Sequence, residues 1–295
     1  MILVTIGVEF ECRKCLPCRL NIAREKAVRS YHEAQMHEDS IFLTLTYDED
    51  HLESPYLIYK HFQLFMKSLR EFTMRSILNP IERQLKYIPM MVTGEYGTIN
   101  KRPHWHALIF NYRPSDQKFK YQTDRGDKVY ESEELSQLWK RGAAEYGSIT
   151  LDSASYVARY AAKKLTHGLD DEHTYHPIHK TSSKRAIGRT WIERYYKQTF
   201  QNGYVILPTG GQSKIPRYYV DWCKNNHPEL WLHYVTEVRP KIIEKTLLKL
   251  RAEELDYFST LASYKGGADY PLTRAKVKET ILQSKFKQLQ ERLKL

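Results

Sequence analysis

The chain has 295 residues, enough for one large domain or two modest ones, and carries a net charge of +11. This basic surplus predicts a polyanionic partner, either nucleic acid or an anionic membrane surface. No apolar run approaches the roughly 20 residues that span a bilayer, and Met1–Phe10 lacks the basic region and cleavage site of a signal peptide. The twenty-two tyrosines offer ring faces on which bases can stack. Composition therefore favours a nucleic-acid partner over a membrane.

Three of the four cysteines lie close together near the N-terminus, at Cys12, Cys15 and Cys18. This spacing is too tight for a disulfide framework and indicates a reducing compartment. Closely spaced thiolates suit structural Zn²⁺, for which Cys223 or His32 could supply the fourth ligand. Plain reduced thiols are the alternative. An iron–sulfur cluster is disfavoured because Ile22 stands where the fourth cysteine of the ferredoxin pattern belongs.

Residue patterns predict a regular alternation of elements in the first half of the chain. The predicted helices are Arg19–Glu38, Tyr56–Ile77 and Ser132–Arg141, and the predicted strands are Ile41–Tyr47, Tyr87–Thr93, His104–Phe110 and Gly147–Leu151. Polar Pro114–Lys128 is predicted to be a surface loop. From Ile41 onward the order is strand, helix, strand, strand, helix, strand. It predicts an α+β fold with a central antiparallel sheet of the split β-α-β, RRM-like type, backed by helices.

The two middle strands should form a hairpin that carries metal ligands. Alternate strand residues share a face, so His104 and His106 should lie side by side while Trp105 faces the core. Glu95, at the end of the partner strand, should come beside them. Two imidazole nitrogens and a carboxylate oxygen suit Mg²⁺, Mn²⁺ or Zn²⁺ as a Lewis acid. The alternative is a pair of surface histidines on an edge strand.

The polar face of Ile41–Tyr47 should lie alongside these histidines. Thr44 and Thr46 occupy that face. They either contact DNA or fill the surface of the sheet.

A helix is predicted at Ser153–Thr166, with Ser153 as its N-cap. Tyr156 and Tyr160 are four residues apart, so both hydroxyls should emerge from one face. A cation follows each tyrosine by three residues, and a further lysine comes next; these are Arg159, Lys163 and Lys164. The alternative is an amphipathic helix whose tyrosines only pack.

The remainder of the chain is predicted to be largely helical and basic. Asp170–Arg185 should be a flexible linker rather than a metal site, although it contains His173, His176 and His179. Helices are expected at Ile187–Phe200, Arg217–Asn226, Glu229–Tyr264 (interrupted by Pro240) and Arg274–Leu295, and a strand at Tyr204–Leu207. Pro208–Lys214 lacks the spacing of a nucleotide-binding P-loop.

Five stretches, in family order, resemble motifs of the HUH endonucleases that initiate rolling-circle replication. FLTLTY, GEYG with RPHWHALIF, and YVARYAAKK resemble their three motifs, whereas CRKCLPCR and AIGRTWIERY are similar to replication initiators of gokushovirus-like Microviridae. The resemblance covers about Cys12 to Tyr196. It implies a Cys-cluster segment and helix at 1–40, an endonuclease core at 41–200, and a mainly helical basic region at 201–295.

The resemblance also implies an activity and its residues. Glu95, His104 and His106 would hold Mg²⁺ or Mn²⁺, and Tyr156 or Tyr160 would attack single-stranded origin DNA to form a 5′-phosphotyrosine. Lys163 and Arg159 could stabilise the phenolate or the phosphate, and Thr44, Thr46, Arg159 and Lys164 would contact DNA. Host helicase and DNA polymerase would be partners, in the cytoplasm of the bacterial host.

Three other functions compete with this one. A non-enzymatic, zinc-dependent nucleic-acid-binding protein explains the charge and cysteines but gives the histidines and tyrosines no common task. A metal hydrolase that uses water leaves the paired tyrosines idle. A transposase or relaxase of the same superfamily is disfavoured, because relaxases carry the tyrosine before the histidines and the transposases are much shorter.

Overall fold

The structure is a computed structural model that describes residues 4–5, 8–9, 12–97, 100–124, 126–163, 177–182, 184–208, 210–263 and 273–292. The chain divides into two compact units, Met1–Arg194 and Tyr195–Leu295. The strands among the described residues are β1 (Val4–Thr5), β2 (Val8–Glu9), β3 (Ser40–Thr46), β4 (Met90–Tyr96), β5 (Pro103–Phe110), β6 (Lys118–Gln122), β7 (Lys128–Glu131), β8 (Ala144–Ser148), β9 (Ile178–Thr181), β10 (Tyr204–Ile206) and β11 (Gln212–Lys214). The helices are α1 (Leu16–Ala34), α2 (Tyr59–Ser76), α3 (Pro80–Leu85), α4 (Glu133–Trp139), α5 (Leu151–Lys163), α6 (Arg189–Asn202), α7 (Arg217–Asn226), α8 (Pro228–His233), α9 (Arg239–Ser263) and α10 (Arg274–Arg292).

Seven strands of the first unit form one antiparallel sheet in the order β6-β7-β8-β3-β5-β4-β9. Its centre, β8-β3-β5-β4, is formed by a chain that runs strand, helix, strand, strand, helix, strand. This is the split β-α-β arrangement that the sequence predicts. The predicted hairpin is also present, with Glu95 opposite His104 across β4 and β5.

One face of the sheet carries the main apolar core and is covered by α2 and α4. Leu43 and Leu45 of β3 are fully buried there, packed with Phe62 of α2 and Trp139 of α4. Trp105 is fully buried in the same cluster, which confirms the prediction from its place between two histidines. The strict alternation of β3 and β5 thus assigns the histidines to the other face.

The other face is partly covered by α1 and α5. Ala23 and Ala27 of α1 and Ala154, Val157 and Ala158 of α5 are buried together over the middle of the sheet. Small side chains let helices approach a sheet closely. The half-buried His104, His106 and Phe42 lie on this face outside the alanine-lined contact.

Two predicted loops contain strands. The expected surface loop Pro114–Lys128 contains β6, which pairs with β7 and extends the sheet. Every residue of β6 is exposed, so main-chain hydrogen bonds form this strand without the apolar alternation that would reveal it. The expected linker Asp170–Arg185 contains β9, which pairs with β4. His179 lies in β9, while His173 and His176 lie outside the described residues.

Helix α5 begins one turn before its predicted N-cap. The Thr150 hydroxyl accepts a hydrogen bond from the Ser153 amide (3.1 Å), and the Ser153 hydroxyl accepts one from the Thr150 amide (2.8 Å). Thr150 is therefore the N-cap and Ser153 its reciprocal partner. Lys164, like the predicted end of this helix, lies outside the described residues.

The second unit is mainly helical and has a small core of its own. Phe200, Val205, Ile215, Tyr219 and Cys223 are buried in it. Pro240 does not break the chain of helices, because a π-helical turn at Tyr234–Val238 precedes it and Arg239 N–H bonds to the Tyr234 carbonyl. This wider turn accommodates a residue that has no amide hydrogen to donate. Within the described residues, no helix is both long and apolar enough to cross a membrane.

Candidate active site

The predicted hairpin places two histidines and a carboxylate together. His106 Nε2 lies 3.0 Å from Glu95 Oε1, and His104 Nε2 lies 3.5 Å from the same oxygen. Ligand atoms of all three residues lie within 4.8 Å of one another. Their side chains are 20% (His104), 12% (His106) and 8% (Glu95) exposed, so the group is shielded but open on one side.

The other nitrogen of each ring is already engaged. His104 Nδ1 lies 3.2 Å from the Arg102 carbonyl oxygen, and His106 Nδ1 lies 3.0 Å from Thr44 Oγ1. A carbonyl only accepts, so Nδ1 of His104 carries the hydrogen and leaves a lone pair on Nε2. Such outer contacts orient metal-binding histidines. The donor set of two nitrogens and one carboxylate therefore fits a divalent cation.

The environment of Glu95 keeps its side chain ionised. Burial raises the pKa of Glu95, but the hydrogen bonds with His104 and His106 and the charge of both rings outweigh it and lower the pKa to about 2. A half-closed site with a fixed negative charge attracts a cation.

Helix α5 brings a tyrosine to this group. The Tyr156 hydroxyl donates to Glu95 Oε1 at 3.3 Å, and its ring packs edge-on against His106 with centroids 5.2 Å apart. Phe42 stacks on the other side of the His106 ring, with centroids 5.6 Å apart. The structure thus unites Tyr156 with all three candidate ligands.

The remaining predicted residues of the tyrosine helix are only partly described. Tyr160, Arg159 and Lys163 belong to α5, but their side chains, like all of Lys164, lie outside the described residues. Tyr160 follows Tyr156 by one helical turn. Its proposed role remains a prediction.

A buried threonine, absent from the predicted site, joins the tyrosine helix to the sheet. Thr93 is fully buried, and its hydroxyl donates to the Val157 carbonyl of α5 at 3.2 Å. His179 Nδ1 of β9 lies 2.9 Å from the same hydroxyl. The alternation of β4 places Thr93 on the face of Glu95, so the pattern already carried a signal for this residue.

The two predicted DNA-contacting threonines differ in their surroundings. Thr44 uses its hydroxyl on His106, whereas Thr46 pairs across the sheet from His104. Both lie on the histidine face of β3. Contact of either with DNA remains a prediction.

The three N-terminal thiols also lie within 4.8 Å of one another. Cys12 Sγ accepts a hydrogen bond from the Cys15 amide at 3.3 Å and lies 3.8 Å from Cys18 Sγ. The Cys15 and Lys14 amides, the Cys15 thiol and the Cys18 thiol hydrogen-bond to Cys12 and lower its pKa to about 6, so a thiolate forms readily. Within the described residues, the cluster offers three ligands to a soft cation.

Neither proposed fourth ligand belongs to that described group. His32 is buried and stacks on Trp191 with centroids 3.7 Å apart, and burial lowers its pKa to about 3. Cys223 is buried in α7, where burial raises the pKa of its thiol to about 11.

The motif at Ala186–Tyr195 docks on α1. Glu33 accepts a hydrogen bond from the Gly188 amide (2.6 Å), and Arg29 donates one to the Ile187 carbonyl (2.9 Å). Together with the Trp191–His32 stack, these contacts indicate an anchoring role for the motif.

Comparison with known proteins adds independent support. A family model for replication-associated proteins of the ORF2 type matches residues 40–165. The chain is 58% identical over 286 residues to the replication-associated protein VP4 of Bdellovibrio phage phiMH2K, covering 97% of this chain and 90% of that protein. It is 32% identical over 244 residues to ORF4 of Chlamydia phage 1 (79% of this chain, 58% of that protein). It is 29% identical over 249 residues to ORF2 of Spiroplasma virus 4 (81% and 75%), and both of these relatives are replication-associated proteins. No solved structure matches the chain.

Proposed function

The chain belongs to the family of phage replication-associated proteins, and from this premise we propose that it nicks single-stranded origin DNA through a 5′-phosphotyrosine and later rejoins the strands. One observation carries the proposal: the Tyr156 hydroxyl lies 3.3 Å from Glu95 Oε1, the oxygen that both His104 and His106 contact. A nucleophile and a cation site that share one oxygen atom suit attack on a phosphodiester.

The proposed reaction is a transesterification. The tyrosine oxygen attacks phosphorus, a new O–P bond joins the protein to the 5′ phosphate, and the bond to the 3′ oxygen breaks. The phenolic proton is lost and the departing 3′ oxygen gains one, so no external energy source is consumed. The free 3′-OH can prime DNA synthesis. Because a phenolate is a good leaving group, a 3′-OH can attack the phosphotyrosine and reseal the strand.

Glu95, His104 and His106 would hold the divalent cation, Mg²⁺ or Mn²⁺. When bound, this ion would supply Lewis-acid stabilisation of charge on the phosphate oxygens. The protein's own part is to orient the ligands and the tyrosine. The Glu95 carboxylate beside the Tyr156 hydroxyl disfavours a second negative charge on the phenol, whose ordinary pKa is near 10. A cation at the site would offset that penalty.

Tyr160 is the proposed nucleophile for the first cut, with Lys163 assisting, and Tyr156 for the second. With two tyrosines one turn apart on α5, a new nick can form while the first 5′ end is still held. Arg159 and Lys164 would contact the DNA backbone, and Thr44 and Thr46 the strand that crosses the sheet.

Further proposals follow from the same role. Host helicase and DNA polymerase would extend the 3′-OH in the cytoplasm of the bacterial host. The Cys12, Cys15 and Cys18 cluster would bind structural Zn²⁺, because its converging thiols and the lowered pKa of Cys12 suit a soft cation.

A covalent-adduct experiment tests the proposal. Single-stranded phage DNA labelled at its 3′ end is incubated with protein and Mn²⁺, and labelled protein is detected after denaturation. The wild type should carry the label, because the 5′ phosphate of the labelled fragment stays on tyrosine. The variant that combines Tyr156→Phe and Tyr160→Phe should form no adduct, and His106→Ala should bind DNA without cleaving it.

Each competing function gives a different result. Cleavage without any adduct would identify a hydrolase that uses water. DNA binding with neither cleavage nor adduct would identify a non-enzymatic binding protein. Full cleavage by His106→Ala would reject the metal-site assignment.

A further inference from the structure

A cleft of about 290 Å³ opens on the histidine face of the sheet, directly beside the tyrosine. Phe42 and Thr44 form its floor, the β6–β7 hairpin forms one wall, and the start of α5 forms the other. His106 and Tyr156 line the cleft as well as the candidate active site. Its volume lies near the lower limit of about 300 Å³ for small-molecule sites. The cleft can therefore receive one flat ring system but no duplex.

The charges around the cleft disfavour a phosphate there. Glu145, Asp127 and Asp152 line it with carboxylates, against the single cation Lys128 among its lining residues. Phosphate groups would be repelled by three carboxylates at this distance. Neutral groups that donate hydrogen bonds would be attracted. The aromatic rings of Phe42, Tyr121 and Tyr156 add surfaces on which a base can stack.

Glu145 is held ready as an acceptor. Its Oε1 accepts a hydrogen bond from Lys120 Nζ at 2.8 Å, and its Oε2 accepts one from the Tyr121 hydroxyl at 3.2 Å. Each carboxylate oxygen accepts more than one hydrogen bond, so both keep capacity for a ligand. The side chain is 27% exposed and lines the cleft.

The sheet fixes the position of Glu145 relative to the active site. Glu145 lies opposite Thr44 across β8 and β3, and Thr44 lies opposite His106 across β3 and β5. Two steps between paired strands, each about 5 Å, separate Glu145 from His106. The nucleotide next to a phosphate at the histidines can span this distance of about 10 Å.

We propose that this cleft binds a nucleobase next to the cleaved phosphate and that Glu145 selects bases with an exocyclic amino group. The proposal rests on the proposed nicking function and deepens it. Cytosine, adenine and guanine each present an amino donor that a carboxylate can accept. Thymine and uracil present carbonyl oxygens at the corresponding edge, which a carboxylate repels. The expected substrate preference is therefore against thymine at this one position.

Cytosine and uracil differ at the position of interest by one amino group, so they make a sharp pair of probes. Fluorescent oligo-dC and oligo-dU of equal length are titrated with protein in EDTA, which prevents cleavage. The wild type should prefer oligo-dC by about fivefold or more, the value of one good carboxylate–amino contact. Glu145→Gln offers both a donor and an acceptor, so the preference should fall to within about twofold.

Two control variants separate the cleft from its surroundings. Glu131→Gln removes a carboxylate 3.7 Å from the same Lys120 but outside the cleft lining, and should keep the preference. Tyr121→Ala should weaken both oligonucleotides about fivefold or more by removing a stacking surface. Phe119→Ala, on the same hairpin but outside the lining, should not.

The outcomes distinguish this proposal from the proposed function. An unchanged dC preference in Glu145→Gln, or equal wild-type binding of both probes, overturns base selection by the cleft. If such a protein still forms the phosphotyrosine adduct, the nicking function stands without it. Loss of adduct in the wild type, with no binding of either probe, overturns both.

Discussion

The Thr44 hydroxyl lies 3.0 Å from His106 Nδ1, on the strand next to it. The two residues are 62 positions apart in the chain, yet they are direct cross-strand neighbours. This contact leaves Nε2 of His106 facing Glu95, 3.0 Å away. A residue first expected to contact DNA thus supports the orientation of a candidate metal ligand.

Replacing Thr44 with valine should weaken cation binding. Thr44→Val keeps the shape of the side chain but removes the hydroxyl that fixes His106, and loss of such outer contacts typically costs about tenfold or more in metal affinity. Isothermal titration with Mn²⁺ measures the change. Thr46→Val is the matched control, since Thr46 lies on the same face opposite His104. Equal affinities in wild type and Thr44→Val would show that this hydroxyl does not orient the ligand.

Replacing Thr93 with valine should loosen the tyrosine helix. The hydroxyl of Thr93 is buried and joins the Val157 carbonyl to His179 Nδ1. Its removal leaves buried polar partners unsatisfied, at a cost of about 1–3 kcal/mol in the free energy of unfolding. Urea unfolding should show this loss, and adduct formation should fall more than DNA binding. Thr93→Ser retains the hydroxyl and should recover both; a serine variant as weak as valine would contradict the explanation.

The buried His32 should make stability depend on pH. Burial lowers its pKa from 6.5 to about 3 in the folded protein. Between these values the unfolded chain binds a proton that the folded chain does not. The free energy of unfolding should therefore fall as the pH drops below 6.5, by about 1.4 kcal/mol per pH unit from this residue.

Urea unfolding at about pH 7.5 and about pH 5.5 measures this dependence. His32→Phe keeps a ring against Trp191 and should show a smaller loss at the lower pH. His233→Phe, on the exposed α8, should behave like the wild type. A pH dependence identical in His32→Phe and wild type would assign the effect to other groups.

The cysteine cluster should act on stability rather than catalysis. Cys15→Ser should lower the melting temperature more than it lowers cleavage per folded molecule, because no described residue of the nucleophile site belongs to the thiol group. Metal analysis of the purified wild type should find zinc, and chelation should lower its melting temperature. Cys223→Ser, at a buried thiol outside the described group, should retain the zinc. Unchanged melting with lost cleavage in Cys15→Ser would reverse this assignment.

Local pattern was sufficient for much of the candidate site. Alternation along β5 placed His104 and His106 on one face and buried Trp105 on the other, because successive strand residues point to opposite sides whatever they pack against. The hairpin spacing placed Glu95 opposite His104 for the same reason. The order of elements predicted the four central strands, since few chain paths connect them.

Other features depend on contacts between distant segments, so they were decided only by the tertiary structure. Strand β6 is exposed along its length and β9 is short, and both exist because a neighbouring strand offers them main-chain hydrogen bonds. The contact of Tyr156 with Glu95 requires α5 to pack over the sheet on its small side chains. The cleft beside them requires the unforeseen β6–β7 hairpin as its wall. Periodicity fixes which way a side chain points along its own strand or helix, whereas the partner it meets depends on how the whole sheet assembles.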